Sequence, residues 1–137
     1  MSRRADDIMG TDMLPCMELT PGEARYLLAL RDLSREGAVP SQAAVARELH
    51  VSQPTTLEMI RKLRKLELIA PKELKLTQQG TSAALVLASR RQAARLLAHD
   101  VLGLDDEQAD VEAANLASSV SPALGRRLIA WRAQQTH

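Results

Sequence analysis

Residues 41–66, SQAAVARELHVSQPTTLEMIRKLRKL, carry two short helical patterns that meet across His50–Val51, the second ending in a basic run. Ser41, after Pro40, opens the first pattern, and Ala44, Val45 and Leu49 give it an apolar face. Ser52 is placed to cap the second, with Pro54 inside its first turn. Leu57, Ile60, Leu63 and Leu66 then recur every third residue, with Arg61, Lys62, Arg64 and Lys65 between them, so apolar and charged residues take different faces. This is the pattern of a helix-turn-helix, a module whose second helix lies in the DNA major groove.

The flanking sequence extends that module. Thr20-Pro21-Gly22-Glu23 combines a capping box with proline at the first helical position, and Leu27, Leu30 and Leu33 continue a helix that Gly37 ends near Glu36. Downstream, Leu68–Ala70 and Leu74–Leu76 read as two short strands joined by Pro71-Lys72-Glu73, a hairpin placed as a wing. Thr77 caps a long helix reaching about Leu102, with Gly103 as its stop. Asp105 caps another through about Ser118, and Ser121-Pro122 starts a last one containing Leu124, Leu128, Ile129 and Trp131. The expected fold is all-α with a small β-wing: a winged helix-turn-helix followed by a helical region. Residues 1–18 are expected to be a flexible arm, 19–78 the DNA-binding domain and 79–137 that helical region.

Composition narrows the class. Of the 137 residues 45% are apolar, enough for a packed core, while Tyr26 and Trp131 are the only aromatics. That scarcity disfavours folds that read nucleic acid by stacking bases on aromatic rings. Net charge is +1, so a nucleic-acid surface must come from local clustering. The single Cys16 excludes an internal disulfide and suits a reducing compartment. No apolar run is long enough to span a bilayer, and Arg3 and Arg4 precede no hydrophobic stretch, so a soluble, cytoplasmic chain is expected.

The candidate DNA-reading residues follow from the module. Gln53, Thr55 and Thr56, in the first turn of the second helix, suit adenine edges and thymine methyls. Glu58 and Lys62 lie further along, for a cytosine amino group and a phosphate respectively. Ser41, Gln42 and Ser52 begin the two helices, where N–H groups and short side chains hold phosphate, and Lys72 and Lys75 on the wing reach the backbone beside the groove.

From about Glu23 to Trp131 the chain resembles the metal-dependent repressors of the diphtheria-toxin-repressor and manganese-transport-regulator family. The resemblance rests on VARELHVSQPTTLEMIRKLRKLELI, LTQQG and VLGLDDEQADVEAANLASSVS, of which the last is the most specific. It implies a homodimer, with the all-α winged helix-turn-helix followed by a helical dimerisation region over residues 79–137, that binds an inverted-repeat operator in double-stranded DNA and responds to manganese or iron. It also implies a set of ligand positions. An Asp and a Glu should stand where this chain has Arg25 and Leu28, and a His where it has Arg91. Two carboxylates and a His should stand where it has Ala114, Ala117 and Ser118. The wing is a few residues shorter than the family's. Alanine and leucine donate nothing and a guanidinium is never a ligand, so no metal cofactor is expected at these positions.

Three readings of Arg25 and Arg91 stay open at this point. They mimic the cation by pairing with acids such as Glu23, Asp110 or Glu112; they are incidental surface charges; or they floor a pocket for a small anion. A thiol signal through Cys16 and a winged helix that binds only protein are further alternatives. His50 occupies the turn and His137 the end of the chain. His99 beside Asp100 is not expected to form a metal site, because neighbouring residues on a helix point apart. No nucleophile–base pair, glycine-rich phosphate loop or paired-carboxylate motif is present, so catalysis is not expected.

Overall fold

The computed structural model describes residues 19–135. The arm expected over residues 1–18, with Cys16, lies outside them, as does His137. The described chain runs α1 (Pro21–Leu33), a 3-10 turn (Arg35–Gly37), α2 (Gln42–Leu49), α3 (Gln53–Lys65) and α4 (Gln78–Arg95), which passes into a π-turn (Leu96–Val101). Then come α5 (Asp106–Leu116) and α6 (Pro122–Gln135).

Local chemistry sets the helix starts. Thr20 Oγ1 accepts from Glu23 N–H at 3.1 Å while Glu23 Oε1 accepts from Thr20 N–H at 2.9 Å, completing the capping box. Ser41, Ser52, Thr77 and Asp105 each accept from a backbone N–H in the first turn of the helix that follows. The first helix stops at Leu33, earlier than Gly37 suggested, because the chain tightens into the 3-10 turn, with Glu36 and Gly37 both at positive φ.

Two helix ends use the left-handed closure without glycine. His50 (φ 57°) and Glu67 (φ 63°) take the position usually given to Gly. Val51 N–H reaches Ala46 O at 3.0 Å and Leu68 N–H reaches Leu63 O at 3.0 Å. The turn between α2 and α3 and the exit from α3 are thus the same motif, each burying or half-burying the apolar residue that follows it.

The main core gathers Leu27, Leu30, Val45, Ile60, Leu63, Ile69, Ala84 and Leu87, from α1 to α4. A smaller one holds Ala93, Ala94, Ala113, Val120 and Leu128 where α4 meets α5 and α6. The long helix therefore spans both, and small alanines let its neighbours approach closely.

The expected β-wing is corrected: no strands form among the described residues, and the hairpin contracts to one antiparallel bridge between Ile69 and Leu76. Two bonds frame it, Ala70 N–H to Lys75 O at 2.8 Å and Thr77 N–H to Leu68 O at 3.1 Å. The next rung would need Lys75 N–H on Ala70 O, but that carbonyl accepts instead from Arg64 Nε at 2.7 Å. Arg64 Nη2 also donates to Glu73 O at 3.3 Å, and Pro71 has no N–H to offer. The α3 arginine has taken the place of a ladder.

Candidate nucleic-acid interface and the inherited regulatory cavity

Helix α3 turns Thr56, Ile60 and Leu63 inward and leaves Gln53, Thr55, Glu58, Arg61 and Lys65 exposed. Its first turn is rigidly held. Ser52 Oγ donates to Thr55 Oγ1 at 2.8 Å, and Gln42 Nε2 donates to Gln53 O at 3.2 Å, tying the start of α2 to the start of α3. Among the described residues no partner engages the side-chain amide of Gln53.

Two assignments change. Thr56 is fully buried and its hydroxyl donates to Ser52 O at 3.0 Å, so it packs the helix and faces no base. Lys62 is already engaged: Nζ lies 2.7 Å from Oε2 of Glu23, a carboxylate with only 4% of its side chain exposed. Conversely, Arg61 and Lys65, which the sequence reading saw only as part of a basic run, are exposed and have no ion-pair partner among the described residues. With Glu58 they are spaced three and four apart on one face. Of four basic residues, then, two support the fold and two face outward. Ser41, Ser52, Lys72 and Lys75 are exposed and Gln42 is half-buried.

The Glu23–Lys62 pair has a pH signature. Burial by itself would push the Glu23 carboxyl up, but the Lys62 ammonium and the Thr20 N–H outweigh it and hold the group below its ordinary 4.5. A depressed carboxyl stabilises the fold at pH above its unfolded value, and that contribution is lost as pH falls through the folded value. Thermal stability measured from about pH 7 down to 3 should therefore decline below about 4.5. In Lys62→Met, which removes the group that holds Glu23 down, stability at about pH 7 should fall and the acid decline should shrink or reverse, and an unmoved acid limb would reject the pairing.

The family's ligand positions come together in space. Arg25, Leu28, Arg91 and Ala114 line one cavity of about 190 Å³ between α1, α2, α4 and α5, with Asp32, Glu48 and Leu49. Ala117 is buried in the main core and Ser118 is half-buried nearby in sequence. The expected partners of the arginines are corrected. Arg91 forms a two-point contact with Asp32 of α1, Nη1 to Oδ2 at 3.3 Å and Nη2 to Oδ1 at 3.4 Å. Glu23 belongs to Lys62, and Asp110 to Arg95 at 2.6 Å. No ion pair among the described residues holds Arg25. The donor set does not fit a divalent cation: the six positions offer fixed positive charge, hydrocarbon and one hydroxyl, and of the two carboxylates lining the cavity Asp32 is committed to a guanidinium, which leaves Glu48 alone. Among the described residues no group of three or more His, Cys, Asp or Glu side chains is arranged to hold a metal ion.

His99 and Asp100 do meet, contrary to expectation. The π-turn brings Nδ1 of His99 within 2.7 Å of Asp100 Oδ1, and Arg132 of α6 lies 3.2 Å from Oδ2. The hydrogen bond from His99 holds the Asp100 carboxyl below its usual range against the opposing effect of desolvation, and Arg132 adds to the lowering.

A helix-turn-helix with a contracted wing, backed by a long helix and two further helices, defines a DNA-binding regulator class. Comparison with known proteins gives its relatives. The profile described as "Iron dependent repressor, N-terminal DNA binding domain" matches residues 18–75. The diphtheria toxin repressor of Corynebacterium glutamicum is 30% identical over 107 residues, covering 76% of this chain and 47% of the relative. That of Corynebacterium diphtheriae is 32% identical over 108 residues, covering 76% and 47%. Among solved structures, the manganese regulator SloR superposes with a TM-score of 0.73 at 26% identity, covering 83% of this chain and 54% of that one. IdeR of T. acidophilum, at 22% identity and a TM-score of 0.69, covers 85% and 55% and shares the fold. The chain is thus similar to the diphtheria-toxin-repressor family of metalloregulators, with residues 18–75 matching the DNA-binding domain of iron-dependent repressors. It spans about half the length of the curated relatives it matches. No helix among the described residues is long and apolar enough to cross a membrane.

Proposed function

We propose that the chain is a sequence-specific, DNA-binding transcriptional regulator, a repressor, that acts as a homodimer and binds its operator without divalent metal. The observation that carries this reading is the outward face of α3: a free Gln53 amide in a rigid first turn, followed by Glu58, Arg61 and Lys65. Phosphate contacts from the basic residues position the helix and the Gln53 edge supplies discrimination. Residues 19–78 form the reading head and 79–137 the dimerisation region, where Val111, Leu116, Leu124 and Ile129 leave apolar surface uncovered on α5 and α6. A two-fold dimer requires an inverted-repeat operator with half-sites about one helical turn apart or a multiple of it. The absence of ligand chemistry at Arg25, Leu28, Arg91, Ala114 and Ala117 supports metal independence, with Arg91–Asp32 joining α4 to α1 in place of a cation.

Selection of bound sequences from random duplex DNA tests the reading, with an inverted repeat as the expected product. On that operator Gln53→Ala should lose about 1–3 kcal/mol while its affinity for random duplex stays unchanged, as measured by fluorescence anisotropy. An equal loss on both duplexes would remove Gln53 from base reading, and no binding to either would defeat the proposal.

A further inference from the structure

Arg90, on α4, is 4% exposed, and its Nε and Nη2 find no hydrogen-bond acceptor among the described residues. These two N–H groups lie along one edge of the guanidinium plane, the edge that presents two parallel donors to paired oxygens. A guanidinium has no neutral form to retreat to in a protein, so burial without an anion leaves a full charge desolvated. Arg90 lines a cavity of about 190 Å³ between α4 and α6 together with Ser89, Pro122, Gly125 and Arg126, and its Nε and Nη2 are themselves closed off from solvent. Pro122 and Gly125 belong to the first turn of the 14-residue α6, whose N-terminal dipole favours negative charge. Val86 and Ile129 supply an apolar wall. Two guanidinium groups, one hydroxyl and a helix start thus surround a space large enough for a few heavy atoms, and no carboxylate lines it.

We propose that this cavity binds a small oxyanion, a carboxylate or a phosphate, gripped at two points by the Nε/Nη2 edge of Arg90 once that side chain turns toward the cavity, and closed by Arg126. It is separate from the cavity at Arg25 and Arg91, and does not depend on DNA binding. Because it bridges α4 and α6, an occupied site fastens the last helix to the long one.

Calorimetric titration of the full chain with inorganic phosphate and, separately, with acetate tests the assignment, with chloride at matched ionic strength as control. Saturable binding of at least one of the two oxyanions is expected, and which one binds identifies the source chemistry. Arg90→Met should weaken it at least about thirtyfold, as expected for a lost charged two-point bond. The same variant should melt at a higher temperature than the parent in anion-free buffer, because it removes a buried unpaired charge. Arg126→Ala, on the surface, should weaken binding severalfold at unchanged melting temperature, and serves if the first variant does not fold. Absence of saturable binding to either anion, or binding unaltered in both variants, overturns the proposal. So does an Arg90→Met chain whose self-association changes in sedimentation while its anion titration does not, since the edge then serves a second copy. None of these readouts involves DNA, so failure here and failure of the regulator reading are distinguishable.

Discussion

Gly80→Ala is expected to destabilise the fold by about 3 kcal/mol or more, read as a lowered denaturant midpoint at unchanged slope. Helix propensity alone predicts the opposite sign, since alanine in a helix is favoured over glycine by about 1 kcal/mol. The difference lies in packing. Gly80 is buried in the first turn of α4, and a Cβ there would run into the carbonyl of Leu68, with the Leu76 side chain 3.2 Å away. That carbonyl cannot retreat, because it accepts Thr77 N–H at 3.1 Å beside the Ile69–Leu76 bridge. Thr77 is equally committed, donating its hydroxyl to Glu67 O at 2.7 Å and accepting Gly80 N–H at 2.9 Å. The LTQQG stretch is therefore the joint that docks the long helix against the exit of α3. A stabilised Gly80→Ala protein would show that this contact is not tight.

The second large effect concerns DNA. Replacing Arg61 and Lys65 together with alanine should weaken binding to operator and random duplex alike, by about fiftyfold at 0.1 M salt, and reduce the salt slope by about 2. Both residues face solvent, so the melting temperature should hold within a degree or two of the parent's. Lys62→Ala behaves differently, because its ammonium anchors Glu23 in the α1 capping box. Its effect on DNA is mixed with a loss of stability. An Arg61/Lys65 double variant with the parent's salt slope would move the phosphate contacts off this face.

Sequence patterning revealed the helix order well, because caps and apolar spacing are local. Thr20, Ser41, Ser52, Thr77 and Asp105 each cap the helix read from them. The wing was misjudged because its strands depend on which partner takes the Ala70 carbonyl, and Arg64 on another element wins it. Thr56 was misassigned because a first-turn threonine reads alike whether it faces a groove or the core, and only the tilt of α3 against α1 decides. Of the six residues named for the ligand positions, Arg25, Leu28, Arg91 and Ala114 share a cavity while Ala117 and Ser118 do not line it, and the partner of Arg91 was missed. Asp32 lies 59 residues away at the end of α1, and no periodicity links the two. The unsatisfied edge of Arg90 was beyond reach for the same reason: in the sequence it is one of two adjacent arginines, and burial alone separates them.

Metal independence is the centre of the account, and equilibrium binding to the selected operator tests it most directly. Affinity should be measured with chelator-treated protein and again after adding manganese. The Arg91–Asp32 link and the lack of ligand side chains at the inherited positions predict the same dissociation constant in both, within about twofold. Binding that collapses on chelation and returns with manganese would contradict the account.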